Sequence, residues 1–425
     1  MIEHVQVFHE KEYLECQVEN LVACMTVHFA FLLHIYQPPV QIAPVIRSIT
    51  SECYRPLVDV LKTHPDARIT LNINGTLTEQ LNDYGFSDVI DGFAFLASAG
   101  QIEFTGSAKY HPLLPLLPEP EITRQIELNN QTNQQFFGEA FKPRGFFPPE
   151  MAVSEDVFDP IKRAGFEWVA MSGIASTASS WPTTNVCQHP NGLKLVFRDD
   201  LVSVDCAFDR VNDIEAFANR LKWKNTDDDY YIILAMDGET FGHHIKHAFK
   251  DFLIPLFDAL PRRDDIQMHS VSEIIDMFPA GEVQVPRAST WSTMTYDIQR
   301  DIPFPLWFDP NNAIHVEQYK FMMYGIVLVN LAQKYVEGMD GERKAEFDNA
   351  RNFLDRGIHS CQTWWASKRP WYSPDMILRG LNEILMGSIN AKRSFPENVP
   401  EDLKDATTLI LDAMLVSQNK IILSL

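Results

Sequence analysis

The residues best able to do chemistry in this 425-residue chain lie in two short segments. One, Ala235-Met236-Asp237-Gly238-Glu239-Thr240-Phe241-Gly242-His243-His244, follows the apolar run at 231–234. The other is Gly145-Phe146-Phe147-Pro148-Pro149-Glu150-Met151-Ala152-Val153-Ser154. In the first, Asp237 sits at a strand tip, and Glu239 is close enough in sequence for one carboxylate to perturb the other. Gly238 and Gly242 let the backbone turn tightly and approach a ligand. In the second, two prolines stiffen the loop and deliver Glu150 directly beyond a strand. Each segment also has a plainer reading: Asp237 as a helix cap, and Ser154 with Glu155 as the start of a helix. Together, two strand-end carboxylates offer what cleaving a glycosidic bond requires. One protonates the departing oxygen, the other attacks or stabilises the anomeric carbon, and no cofactor is needed.

The elements that must position these groups follow from hydrophobic patterning. From residue 26 onward, short apolar runs alternate with helical stretches, the pattern of parallel strands covered by helices. Strands are expected at 26–35, 68–73, 101–105, 145–147, 166–171, 193–197 and 230–236, with helices at 52–62 and 121–141. Thr76 and Glu79 have capping-box spacing for a further helix. After Pro286 the pattern becomes helical throughout, with periods at 313–337, 340–366, 374–392 and 400–420. The expected organisation is an N-terminal extension at 1–24, an α/β barrel at 25–288 and a C-terminal helical domain at 289–425 that contributes to the active-site groove. In a parallel barrel the loops at the strand C-termini build the active site, which would bring His34, His111, Glu150 and Asp237 to one mouth. An open doubly wound sheet would also bind ligands at strand C-termini, but no dinucleotide fingerprint or phosphate loop is present.

Composition narrows the partners. A net charge of −21 repels phosphate backbones and anionic lipid surfaces, so neither nucleic acid nor membrane is expected as a partner. Neutral sugars are indifferent to that field. The apolar stretch at 21–36 is too short for a membrane span and contains Thr26, His28 and His34, so it reads as a buried strand. Residues 1–20 have no basic region like that of a secretory signal, and Met25 is an alternative start. Six cysteines without a CxxC pair read as buried thiols in a reducing compartment, hence a cytoplasmic setting. Oligomeric state is left open.

With these residues in view, the chain resembles glycoside hydrolase family 57 over about residues 25–390. The family's Pro-Glu motif matches Pro149-Glu150, and its Asp-Gly-Glu-x-Phe-Gly motif matches residues 237–242. The resemblance implies a (β/α)7-type barrel with a C-terminal α-helical domain and retaining chemistry on α-glucan oligosaccharides or polysaccharides. It implies Glu150 as nucleophile, Asp237 as acid/base and no cofactor. A histidine-containing first motif ending in Gln-Pro is similar to His34-Ile35-Tyr36-Gln37-Pro38, with Tyr36 where the family often has histidine. Phe147 stands where tryptophan is common. Tyr110-His111-Pro112 resembles the second motif, and Gln362, Trp364 and Trp365 are candidates for the fifth. The substrate-binding set implied is His34, Gln37, His111, Phe147, Glu239, Phe241, His243, Trp291, Trp364 and Trp365.

Two other readings stand beside this one. His243, His244 and His247 could serve a metal-dependent carbohydrate deacetylase or mannosidase-like barrel, since His243 and His247 are four residues apart and could share a helix face. The chain could also be a catalytically silent carbohydrate-binding protein. Both carboxylates are present, and the histidines lack the helix-borne glutamate of the zinc-protease arrangement, so no metal is assigned.

Overall fold

A computed structural model describes residues 25–208, 210, 211, 213–224, 226–336, 341–369 and 371–425. The extension at 1–24, with Cys16 and Cys24, lies outside the described residues. The chain divides into two compact units. The first runs to Gln37 and includes Gln41–Lys109 and Leu114–Thr295. The second gathers Pro38–Val40, Tyr110–Leu113 and Tyr296–Leu425.

The first unit is an α/β barrel. Its strands are β1 (Val27–Ile35), β2 (Ile69–Ile73), β3 (Ile102–Phe104), β4 (Gly145–Phe146), β5 (Trp168–Ser172), β6 (Val186–Gln188), β7 (Lys194–Arg198), β8 (Tyr230–Asp237), β9 (Ile266–Met268) and β10 (Ala280–Val283). One parallel ladder runs β3-β2-β1-β8, and a second runs β4-β5-β7. A parallel bridge between Gly106 and Phe146 joins β3 to β4. At the other seam, the Asp199 N–H donates to the Ile233 carbonyl at 2.8 Å, joining the end of β7 to β8. The ring therefore closes through the seven strands expected from the sequence. The short β6, β9 and β10 are additions whose three or four residues carry too little alternation to be recognised.

Residue parity decides which side chains enter the barrel. In β1, Val27, Phe29, Phe31, Leu33 and Ile35 pack outward under the helices, whereas Ala30 and Leu32 join the inner cluster. In β8, Tyr230, Ile232, Leu234 and Met236 pack outward, and Tyr231, Ile233 and Ala235 inward. Continuing each alternation by one step puts His34 and Asp237 in line with the inner residues at the C-terminal end. Both faces of these strands are buried, and each fully buried Phe, Leu or Ile contributes about 1.5–3 kcal/mol.

The helix after β2, Gly75–Asp83, does not begin with a capping box. Its N-cap is Asn74, which makes no side-chain cap bond, and the Thr76 hydroxyl donates to the Lys109 carbonyl at 2.8 Å. Glu79 instead pairs with the Lys109 ammonium at 2.7 Å. Tertiary partners captured both residues, a competition that local spacing cannot reveal.

The second unit is built from four long helices: α1 (Ala313–Val336), α2 (Glu342–Gly357), α3 (Pro374–Ser394) and α4 (Glu401–Ser424). α1 packs against α2, α3 and α4, and α2 against α3. The period expected to run unbroken over 340–366 is interrupted after Gly357. There, His359 forms an antiparallel bridge with Pro112, and a short helix, Cys361–Trp364, follows.

Candidate active site

Asp237 ends β8 beside His34 of β1; the two are paired in the parallel ladder. They sit in the last rungs of the barrel rather than in the loops beyond it. His34 is buried, with Nδ1 2.6 Å from Asn72 Oδ1. Asn72 in turn donates through Nδ2 to Thr105 Oγ1 at 2.9 Å. That chain of contacts assigns the proton to Nδ1 and leaves Nε2 as the acceptor nitrogen of a neutral ring. Burial lowers the His34 pKa, opposed by the charge of Asp237 and the Asn72 contact, so a neutral ring is the resting form.

Glu150 follows β4 in a conformation few residues adopt. Its φ is 59° and that of Met151 is 50°, two successive non-glycine residues in the left-handed region. Such backbone costs on the order of 1–3 kcal/mol and persists where surrounding structure enforces it. The enforcement is visible in Trp291, which bonds both the Glu150 carbonyl, through its backbone N–H at 3.2 Å, and the carboxylate. Its indole N–H donates to Glu150 Oε2 at 3.0 Å.

Aromatic contacts connect the two carboxylate positions. Phe147 stacks on His34, with centroids 4.9 Å apart, and Trp291 meets both rings edge-on at 5.9 Å. The Arg198 guanidinium lies over the Trp291 ring at 5.8 Å, and its Nε donates to the Ala235 carbonyl at 2.7 Å.

Glu239 is held from several sides. Tyr54 donates its hydroxyl to Glu239 Oε1 at 2.5 Å, and the Tyr36 backbone N–H donates to the same oxygen at 3.3 Å. Gln37 Nε2 reaches it at 3.5 Å. Burial, reinforced by the negative charge of Asp237, pushes the Glu239 pKa up to about 8 despite the Tyr54 bond. Tyr54 ends a π-helical turn, Thr50–Tyr54, within the first helical stretch of the barrel. On the same turn, Glu52 is paired with His243 at 2.5 Å and with Lys246 at 2.7 Å, and both cations lower its pKa to about 2.

The first unit therefore gathers His34, Gln37, Phe147, Glu150, Asp237, Glu239, His243 and Trp291. Phe241 is buried among Phe31, Phe249 and Phe252, and its ring is part of the core. His111, Trp364 and Trp365 belong to the second unit. There His111, at φ 56°, places Nδ1 3.0 Å from Ser360 Oγ, and Trp365 stands edge-on to His359 at 6.2 Å. Trp364 and Trp365 are partly exposed.

Sequence reasoning missed Asn72, Tyr54, Glu52 and Arg198. Asn72 carried one signal, a lone amide within the otherwise apolar end of β2. Tyr54 carried none, because a π turn has no sequence signature. Glu103 was read only as a strand residue, yet parity directs it inward, where Thr70 Oγ1 and the Ser272 N–H each donate to Oε2 at 3.1 Å. Burial raises its pKa. Among the described residues, no group of three or more His, Cys, Asp or Glu side chains has metal-holding geometry.

An α/β barrel with paired carboxylates at the C-terminal ends of its strands has the architecture of a barrel enzyme. The chain belongs to glycosyl hydrolase family 57, whose pattern it matches over residues 2–287. It is 24% identical over 329 residues to an alpha-amylase of Pyrococcus horikoshii, an alignment covering 73% of this chain and 51% of that one. The chain thus spans about half the length of that relative. Among solved structures, it is similar to the 4-alpha-glucanotransferase from Thermococcus litoralis, with a TM-score of 0.70 and 17% identity over 86% of this chain and 60% of that one. It is also similar to the alpha-amylase AmyC from Thermotoga maritima, with a TM-score of 0.68 and 16% identity over 92% of this chain and 97% of that one. At those identities the structural likeness establishes the fold, including the helical region after the barrel.

Proposed function

We propose that this chain acts on α-glucans as a retaining hydrolase or transglycosylase, with Glu150 as nucleophile and Asp237 as acid/base. The observation that carries the reading is the double hold of Trp291 on a Glu150 already fixed by left-handed backbone, an arrangement that preorganises one carboxylate oxygen. Family membership and the α-glucan activities in the names of its relatives support the substrate class.

In the first step a Glu150 oxygen attacks the anomeric carbon. The bond to the leaving oxygen breaks as Asp237 donates its proton there. In the second step Asp237 takes a proton from water or a sugar hydroxyl, whose oxygen displaces Glu150 and restores the carboxylate. Water gives hydrolysis, and a sugar hydroxyl gives transfer. The neutral His34 offers Nε2 as acceptor for a substrate hydroxyl. The partly exposed rings of Trp364 and Trp365 suit stacking on sugars. Buried thiols at Cys53, Cys187 and Cys206 suit a reducing, cytoplasmic setting.

The test is incubation of wild type, Glu150→Gln and Asp237→Asn with maltooligosaccharides, amylose and glycogen, with products resolved by chain length and branch linkage. Each variant is expected to lose at least ~100-fold in turnover. Near-normal turnover in either variant would remove that residue from its role, and wild-type inactivity on all three substrates would overturn the α-glucan reading.

A further inference from the structure

The last helix, α4, buries one face and leaves the other uncovered. Met414, Ser417 and Ile421 point into the helical unit, and Lys420 pairs with Glu317 of α1 at 3.4 Å. On the outer face Leu409 is 72% exposed, Leu415 53%, Val416 54%, Ile422 51% and Leu423 79%. Single exposed aliphatics are ordinary, but five on one helix face form a continuous stripe, which marks an interaction surface. At 3.6 residues per turn, Leu415 and Ile422 form one row, and Leu409, Val416 and Leu423 another. The exposed Asp412 and Asn419 lie between the rows.

We propose that this face is the contact between two copies of the chain, paired through antiparallel α4 helices about a twofold axis beside the Leu415–Val416 bond. The face is self-complementary under that operation, which makes residues equidistant from the bond face each other. Leu409 meets Ile422 of the second copy, Leu415 meets Val416, and Asp412 meets Asn419. Apolar groups then cover apolar groups, while each Asp412 carboxylate accepts from an Asn419 amide, twice by symmetry. Isologous contacts require this reciprocity: if position i touches j, then j touches i. A polar pair inside an apolar seam also fixes the register against sliding.

Other occupants fit less well. A parallel pair would place Asp412 against Asp412, a like-charge contact that costs stability. By length and composition α4 could cross a membrane, but insertion would carry Asp412 and Asn419 into hydrocarbon without partners. Surface adsorption is opposed by the net charge of −21 and by the acidic Glu401, Asp402 and Asp405 at the start of the helix.

Sedimentation of the full chain across micromolar concentrations tests this. A dimer of twice the 48.6 kDa chain mass is expected, dissociated by Val416→Lys and by Leu415→Lys with far-ultraviolet circular dichroism and melting temperature retained. The register is read by charge. Asn419→Lys places a cation opposite Asp412 and should tighten the dimer by about 3- to 10-fold, from two surface ion pairs. Adding Asp412→Lys to that variant opposes like charges and should separate the copies, whereas Asp412→Lys with Asn419→Asp should restore them. A wild type monomeric at every concentration overturns the proposal, as does a dimer indifferent to Val416→Lys. Insensitivity to the charge series overturns the register. Flotation of a monomer with anionic or neutral phospholipid vesicles, lost in Val416→Lys, would assign the face to membranes instead.

Discussion

Trp291 bonds Glu150 twice, through its backbone N–H to the carbonyl and through its indole N–H to carboxylate oxygen Oε2. The side-chain bond can be removed while most of the ring is kept. A hydrogen bond to a charged group is worth about 1.5–3 kcal/mol, so Trp291→Phe should lower kcat by roughly 10- to 100-fold. Steady-state kinetics on the best α-glucan substrate decide it. An unchanged kcat would mean that the indole N–H does not hold the reacting oxygen.

Glu239 predicts a pH-dependent stability difference. Its pKa is raised from 4.5 to about 8, first by burial and then by Asp237. Between those values the folded protein holds a proton that the unfolded chain has released. The stabilisation is therefore complete below about pH 4.5 and is lost as pH rises toward 8. Glu239→Gln stays neutral throughout. Its denaturation midpoint relative to wild type should climb between pH 5 and 8 and level off above, at about 1.4 kcal/mol per pKa unit of difference. A gap that stays flat across that window would show that Glu239 is ionised in the fold.

Gly242 stands at φ +91°, and a Cβ there would lie 2.1 Å from the Glu52 carbonyl oxygen and 2.7 Å from the Phe249 ring. Gly242→Ala combines left-handed strain with a backbone clash, and should cost at least about 2 kcal/mol in urea unfolding. A cost below half of that would mean that the turn relaxes freely.

Asn72 links His34 to Thr105 inside the barrel. Asn72→Ala leaves both partners buried without their shared bond, at a cost of about 1–3 kcal/mol. Freed from its anchor, the His34 ring should also bind substrate less well, so kcat/KM should fall more than stability alone explains at temperatures where the variant is fully folded. Normal kcat/KM there would confine Asn72 to a structural role.

Much of the barrel was legible because its causes are local. Seven strands appeared as apolar runs, and alternation in β1 and β8 already ordained that His34 and Asp237 follow the inward rows. The Pro-Pro-Glu segment announced a stiff delivery of Glu150. Capping was less legible: Thr76 and Glu79 had the correct spacing, yet Lys109, thirty residues past Glu79, engaged both.

The sequence by itself determined the barrel class, the helical region after it and the two carboxylate-bearing segments, since periodicity, proline and glycine act over a few neighbouring residues. Only the tertiary structure decided what surrounds those carboxylates. Trp291 reaches Glu150 from 141 positions away, and Tyr54 reaches Glu239 from 185. The same long-range packing made Phe241 core and gave His111 its Ser360 partner. Such contacts are set by how a closed ring of strands brings distant segments together, and burial then fixes the protonation of Glu239, which no local pattern encodes.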